Sequence, residues 1–151
     1  MKKLITASFL LLFATFVSAQ MVKNPVSWTA TSKKIADKTY EIHLTATLPD
    51  GWHIYSQTTP EGGPIPTEIN FTKNPLVTLD GKAKEIGKLE QRFEPLFNVD
   101  VKQFSNKVNF VQKVKLKANV KTSVEVAVEF MVCDDAQCLP PSTKKFTVAL
   151  K

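Results

Sequence analysis

Cysteine and histidine are scarce: the 151 residues hold two of each. His43 and His53 lie far upstream of Cys133 and Cys138, without ligand spacing, which argues against a zinc module of the finger or ribbon type. Capture of copper or zinc by the thiols together with His53 is the metal reading that is left. Both cysteines stand at one end of one segment, so the inter-sheet cystine usual in immunoglobulin domains is absent. No basic stripe interleaved with aromatics occurs. Lysines fall on alternating positions such as Lys113, Lys115 and Lys117, as on the solvent face of a strand, and nucleic-acid binding is not the meaning of the charge. Beyond the first 19 residues no segment carries a helical apolar stripe, an internal repeat or low complexity.

What is present begins with a leader. Met1-Lys2-Lys3 is a basic start, Leu4 to Val17 is apolar, and Val17-Ser18-Ala19 supplies small residues for cleavage before Gln20. A membrane anchor fits less well, because Thr6, Ser8 and Thr15 interrupt a run already short for a span. No cysteine follows the cleavage point, so no lipoprotein is expected. The expectation is a signal peptide over residues 1–19 and one exported domain over residues 20–151, with no stable membrane span after cleavage. Of the 20 basic and 14 acidic residues, loss of Lys2 and Lys3 leaves 18 against 14, a net of +4.

The dominant period of the mature chain is two. Tyr40, Ile42, Leu44, Ala46 and Leu48 alternate with polar or small residues, as do Val108, Phe110, Val114 and Leu116, then Val124 to Val132, then Phe146, Val148 and Leu150. Such alternation marks antiparallel strands with one buried face. Pro49-Asp50-Gly51, Pro60 to Pro64, Asn74-Pro75 and Asp80-Gly81 punctuate the runs as turns. Short strands and frequent turns in about 130 residues predict an all-β, immunoglobulin-like antiparallel sandwich. On this reading Val124 to Val132 is one strand running into the cysteine loop, and Thr143 to Leu150 runs out of it. The cysteines then sit at the end of a hairpin, outside the core. Pro140 and Pro141, which lack amide donors, keep the loop out of the ladder and hold Cys138 in an exposed, extended segment.

A disulfide closing so short a loop removes little unfolded-state entropy, on the order of 2 kcal/mol. The pair therefore reads first as redox chemistry, which needs sulfurs able to bridge and access for a third sulfur. A structural cystine in an oxidising compartment stays open as the alternative. Asp134 and Asp135 beside Cys133 would disfavour a thiolate and restrain the dithiol until a cognate partner docks. Around residue 53, Trp52 and Ile54 claim one face of an alternating strand, leaving His53 and Tyr55 on the other. A protonated His53 near a thiol would offset the aspartates.

The segment Val128 to Lys144, centred on Cys133-Asp134-Asp135-Ala136-Gln137-Cys138-Leu139-Pro140-Pro141, resembles the active-site segment of the amino-terminal periplasmic domain of the DsbD family of thiol:disulfide interchange proteins. Leu48 to Ser56 looks like that family's Asp-Gly-aromatic-aromatic-x-Tyr strand, and Glu94-Pro95-Leu96-Phe97-Asn98 falls where the family carries a cap loop. The resemblance implies Cys133 and Cys138 as the redox couple, lined by His53, Tyr55, Asp134, Asp135 and Pro140 and capped by Glu94, Leu96, Phe97 and Asn98. It implies that Cys138 forms the mixed disulfide while the shielded Cys133 resolves it, with no diffusible cofactor. The implied electron donor is a membrane reductase or thioredoxin-like domain. The implied acceptors are periplasmic thiol oxidoreductases, namely disulfide isomerases and cytochrome c maturation thioredoxins, and the implied location is the periplasm.

The chain departs from the family pattern in several places. Its cysteine loop is one residue shorter, His53 stands where tyrosine is usual, and Phe97-Asn98 replaces an aromatic-glycine pair. The last change leaves open which of Leu96 and Phe97 covers the sulfurs. Family members usually continue into membrane and thioredoxin domains, whereas this sequence stops at Lys151, so two expectations stand side by side: a free-standing form working with a separate membrane protein, or a domain whose companion modules were lost and whose role has changed. The competing function is a non-catalytic binding or assembly module with a structural disulfide.

Overall fold

The computed structural model describes residues 24–151, so the signal peptide expected over residues 1–19 lies outside the described residues. Nine strands follow in order: β1 (Ser27–Ala36), β2 (Thr39–Thr47), β3 (His53–Tyr55), β4 (Glu68–Phe71), β5 (Val77–Glu94), β6 (Val99–Leu116), β7 (Thr122–Phe130), β8 (Val132–Cys133) and β9 (Ser142–Leu150). Among the described residues there is no helix, and hence none long and apolar enough to cross a membrane. All strand pairs are antiparallel. They form a six-stranded sheet along β1-β2-β6-β3-β8 with β5 also on β6, and a three-stranded sheet β4-β7-β9. This is the expected immunoglobulin-like sandwich.

The 18-residue β6 organises the larger sheet. One of its edges carries β2 along residues 107–115 and β3 along residues 103–105; the other carries β5. The chain passes from β2 to β3 through the predicted turn, where Trp52 N donates to the Pro49 carbonyl and Gly51 takes φ +83°, a conformation open to a residue without Cβ. The alternating residues of β2, β6, β7 and β9 meet between the sheets as one core that includes Ile42, Leu44, Phe110, Val126, Val128 and Leu150. Trp28 of β1 closes one side of it, with ring centroids 5.1 Å from Phe130 and 6.1 Å from Phe110.

Two sequence expectations are corrected. Asp80-Gly81 is not a turn between strands; it is a bulge within β5, with the register against β6 shifting between Asp80 and Lys84 and Gly81 at φ +72°. No alternation betrays β5 because it is an edge strand whose residues are exposed on both faces along most of its length. Leu89 and Phe93 share the face of Phe104, yet both are exposed. The second correction is at Val124–Val132, which breaks at Met131. Phe130 still pairs with Ser142 of β9, while Val132 pairs with Ile54 of β3 in the other sheet. The hairpin tip thus folds across to the larger sheet and brings the cysteines with it.

Candidate functional site

Within that tip, Leu139 N donates to the Val132 carbonyl and Asp134 N to the Gln137 carbonyl, both at 2.9 Å. Cys133 and Cys138 therefore face each other as the non-hydrogen-bonded pair of a short antiparallel bridge, the kind of pair whose Cα atoms approach to about 4.5 Å. Here the Cα atoms are 4.0 Å apart and the sulfurs are joined. Four intervening residues suffice because the loop is itself a tight turn. Asp134 Oδ1 accepts hydrogen bonds from the amides of Ala136 and Gln137 at 2.8 Å each, and these donors hold its carboxyl below the ordinary carboxylate range. Asp135 is largely exposed and lies 3.4 Å from the Arg92 guanidinium. Each carboxylate thus has a partner of its own, Asp134 the loop amides and Asp135 the Arg92 guanidinium.

Register decides what surrounds Cys133. Val132, Ile54 and Phe104 face the main core, so the next residues along each strand point to the opposite face of the larger sheet. There Cys133 lies across from His53, with Tyr55 two residues along, and β6 contributes Ser105 and Gln103. Tyr55, Val101 and Cys133 form a second, small core, against which Phe97, Val99, Met131 and Cys138 pack. The expectation of both cysteines outside a core is thus corrected. Cys133 is fully buried, at 0% exposure, and Cys138 is half-buried. Pairing with β3 on one side and a covering turn on the other remove Cys133 from solvent.

The covering turn starts where β5 ends. The Glu94 carbonyl accepts from Phe97 N and Asn98 N, at 3.2 and 2.8 Å, and its Oε1 accepts from Leu96 N at 3.4 Å. Asn98, at φ +58°, completes the reversal into β6. Phe97 points inward onto the small core, while Leu96 is 49% exposed. Of the two, Phe97 is the one that packs against the small core to which Cys133 belongs. Gly63 lies directly over the same turn, where a Cβ would come 2.6 Å from Val99 Cγ2, so this close approach requires glycine.

Glu94 also reaches under the turn. Its Oε2 accepts from the Tyr55 hydroxyl at 3.2 Å and lies 3.3 Å from His53 Nε2, which is itself 3.1 Å from the Tyr55 hydroxyl. All three side chains are buried. Burial pushes the His53 pKa down from its ordinary 6.5; the Glu94 carboxylate opposes this and Arg92 adds to it. Burial, reinforced by Glu94, holds the Tyr55 hydroxyl protonated. A base with a lowered folded-state pKa binds fewer protons folded than unfolded, so stability falls as pH drops from 6.5 towards that lower value. The melting temperature of the oxidised protein is expected to decline between about pH 7 and about pH 5.5, and to decline less in His53→Gln. Thermal melts followed by circular dichroism across that range test this, and equal slopes in the two proteins would refute it.

Of the residues singled out from sequence, Cys133, Cys138, His53, Tyr55, Glu94 and Phe97 come together. Asp134 shapes the loop, whereas Asp135, Pro140, Leu96 and Asn98 sit exposed at its margin or on the covering turn. The reading missed Arg92, the chain's one arginine, and Gln103, which is fully buried on the Tyr55 register with both amide atoms unpartnered. The alternation of Val99, Val101, Gln103 and Ser105 against Phe104 carried that signal. Among the described residues no group of three or more His, Cys, Asp or Glu is placed to hold a metal ion.

Fold and site together define an immunoglobulin-like domain that carries a local, half-shielded disulfide on the outer face of one sheet, roofed by an acidic and aromatic turn. The chain belongs to the family described as "Thiol:disulfide interchange protein DsbD, N-terminal", whose model matches residues 20–150. That family is implicated in thiol–disulfide exchange. Among solved structures, the reduced N-terminal domain of DsbD from Neisseria meningitidis superposes with a TM-score of 0.51 at 12% identity, covering 81% of this chain and 84% of that one. The N-terminal periplasmic domain of ScsB from Proteus mirabilis gives 0.50 at 18% identity, over 83% of this chain. This chain spans only 44% of that structure's length. At such identities the likeness shows the fold. A comparison with curated proteins found no match.

Proposed function

We propose that this domain exchanges thiols and disulfides in the periplasm, passing reducing equivalents through the Cys133–Cys138 couple to oxidised protein partners. Cys138 attacks the partner's disulfide, and Cys133 then displaces the partner from Cys138. The resulting intramolecular disulfide is reduced again by a membrane reductase or a thioredoxin-like domain. Disulfide isomerases and cytochrome c maturation thioredoxins are the proposed acceptors, and the sulfurs work without a diffusible cofactor. The observation that carries this reading is the unequal exposure of two disulfide-joined residues: Cys133 is fully buried and Cys138 is half-buried. Family membership supports the same chemistry, and the periplasmic location follows the Proteus relative's description.

The reduction potential of the couple tests it, by equilibration with defined thiol–disulfide buffers. The expected value lies at roughly −180 to −270 mV, the range of extracytoplasmic exchange proteins. A value well below about −300 mV would mark a structural cystine and favour a binding module instead.

A further inference from the structure

We propose that His53 is the base that takes the proton of Cys133 when Cys133 resolves the mixed disulfide, with Glu94 and Tyr55 as the residues that position its ring. This rests on the exchange reading above.

The need for a base follows from burial. Resolution requires Cys133 as a thiolate, yet its side chain is fully excluded from solvent in a small apolar core, where desolvation favours the neutral thiol. His53 is its cross-strand partner on the same face, and Cβ atoms of such pairs lie about 4.5–5.5 Å apart. The hydrogen-bond network sets which ring nitrogen is free. The Tyr55 proton is given to Glu94 Oε2. Nε2, facing both the Tyr55 oxygen and Glu94 Oε2, therefore carries the hydrogen, and Nδ1 keeps the lone pair.

The charged groups that face His53 are Glu94 and Arg92 from β5 and Asp134 and Asp135 from the loop after β8; Tyr55 on its own strand and Ser105 on β6 are uncharged. Burial keeps the ring neutral at rest and able to accept a proton, and the Glu94 carboxylate 3.3 Å away stabilises the imidazolium once formed. In the step, the Cys133 S–H proton passes to Nδ1 and the Cys133 thiolate bonds to Cys138 Sγ. The bond from Cys138 to the partner's sulfur breaks, and its electron pair leaves on that sulfur as a thiolate. Two electrons have then moved from the dithiol to the partner, and the proton on His53 returns to the departing thiolate or to water.

Reduced protein mixed with oxidised glutathione, quenched in acid at intervals and weighed intact, reports both formation and decay of the glutathionylated species. In His53→Gln the decay should slow by about 100-fold or more relative to formation at pH 7. Wild-type decay should level off above the His53 titration, while the variant's keeps rising with pH. Glu94→Gln, which keeps the shape and can still accept from Tyr55, should move the wild-type midpoint to lower pH; this variant decides the matter if His53→Gln does not fold. Unchanged decay, or formation and decay slowed in equal proportion, would overturn the role of His53 and leave the exchange reading standing. Failure of Cys133→Ser to take up glutathione at all would overturn both.

Discussion

The Cys133→Ser variant is expected to accumulate a mixed disulfide through Cys138, and the Cys138→Ser variant to accumulate almost none. Exchange needs an attacking sulfur that another sulfur can approach in line with the bond being broken. Cys138 is half-buried at the edge of the small core, whereas Cys133 is fully buried within that core, between β3 and the bridge to Cys138. With serine at 133, nothing displaces the captured partner, so the adduct persists. With serine at 138, the remaining thiol cannot be reached without opening the Glu94–Asn98 turn or peeling β8 from β3. The ratio of captured protein should be on the order of 100-fold with a thioredoxin-like protein or oxidised glutathione as the disulfide. Non-reducing electrophoresis and intact mass read it directly. Equal capture by the two variants would remove the division of labour between the cysteines.

The sandwich was legible because its interior strands obey period two. Tyr40 to Leu48 and Val124 to Phe130 each bury one face against the opposing sheet, so composition and geometry agree. β5 was not legible, because this edge strand buries neither face along most of its length. Its long pairing with β6 is supplied by backbone hydrogen bonds, which no side-chain pattern records. At the site, sequence marked the cysteines, His53 and Tyr55, and the alternation correctly placed the last two on the face opposite Ile54. What it misjudged was depth. A pair near a predicted hairpin tip looked exposed, but the tip crosses to the other sheet at Met131, and that switch depends on pairing between residues about 80 positions apart, such as Val132 with Ile54. The direction of the loop carboxylates was equally hidden: Asp134 serves its own turn because two amides lie within 2.8 Å, a local geometry compatible with many sequences.

The largest loss of stability is expected from Phe104→Ala. Phe104 is 1% exposed and lies on the core face of β6, with Ile54 of β3 on one side and Leu89 of β5 on the other. Gly87 of β5 comes so close that a Cβ there would stand 3.1 Å from Phe104 Cδ1 and 3.0 Å from the Lys107 carbonyl, so the ring fills its space against backbone as well as side chains. Backbone held by two ladders cannot collapse into the void, which places the cost in the upper part of the usual range, about 3–5 kcal/mol. Against a total of about 5–15 kcal/mol for a domain of this kind, that is a large share. The urea midpoint should fall by roughly 2 M for a slope near 2 kcal/mol/M. Leu89→Ala, at the adjacent position on the exposed edge strand, should cost less than half as much, because its side chain is already 49% exposed. Phe104 also stands directly behind the site, since its neighbours Gln103 and Ser105 face Tyr55 and His53. Loss of the ring should therefore loosen β3 and raise the reactivity of Cys133 towards a thiol reagent in the reduced protein before global unfolding. A midpoint shift no larger than that of Leu89→Ala would mean that the sheet beneath the cysteines is held by pairing alone and not by the core behind it.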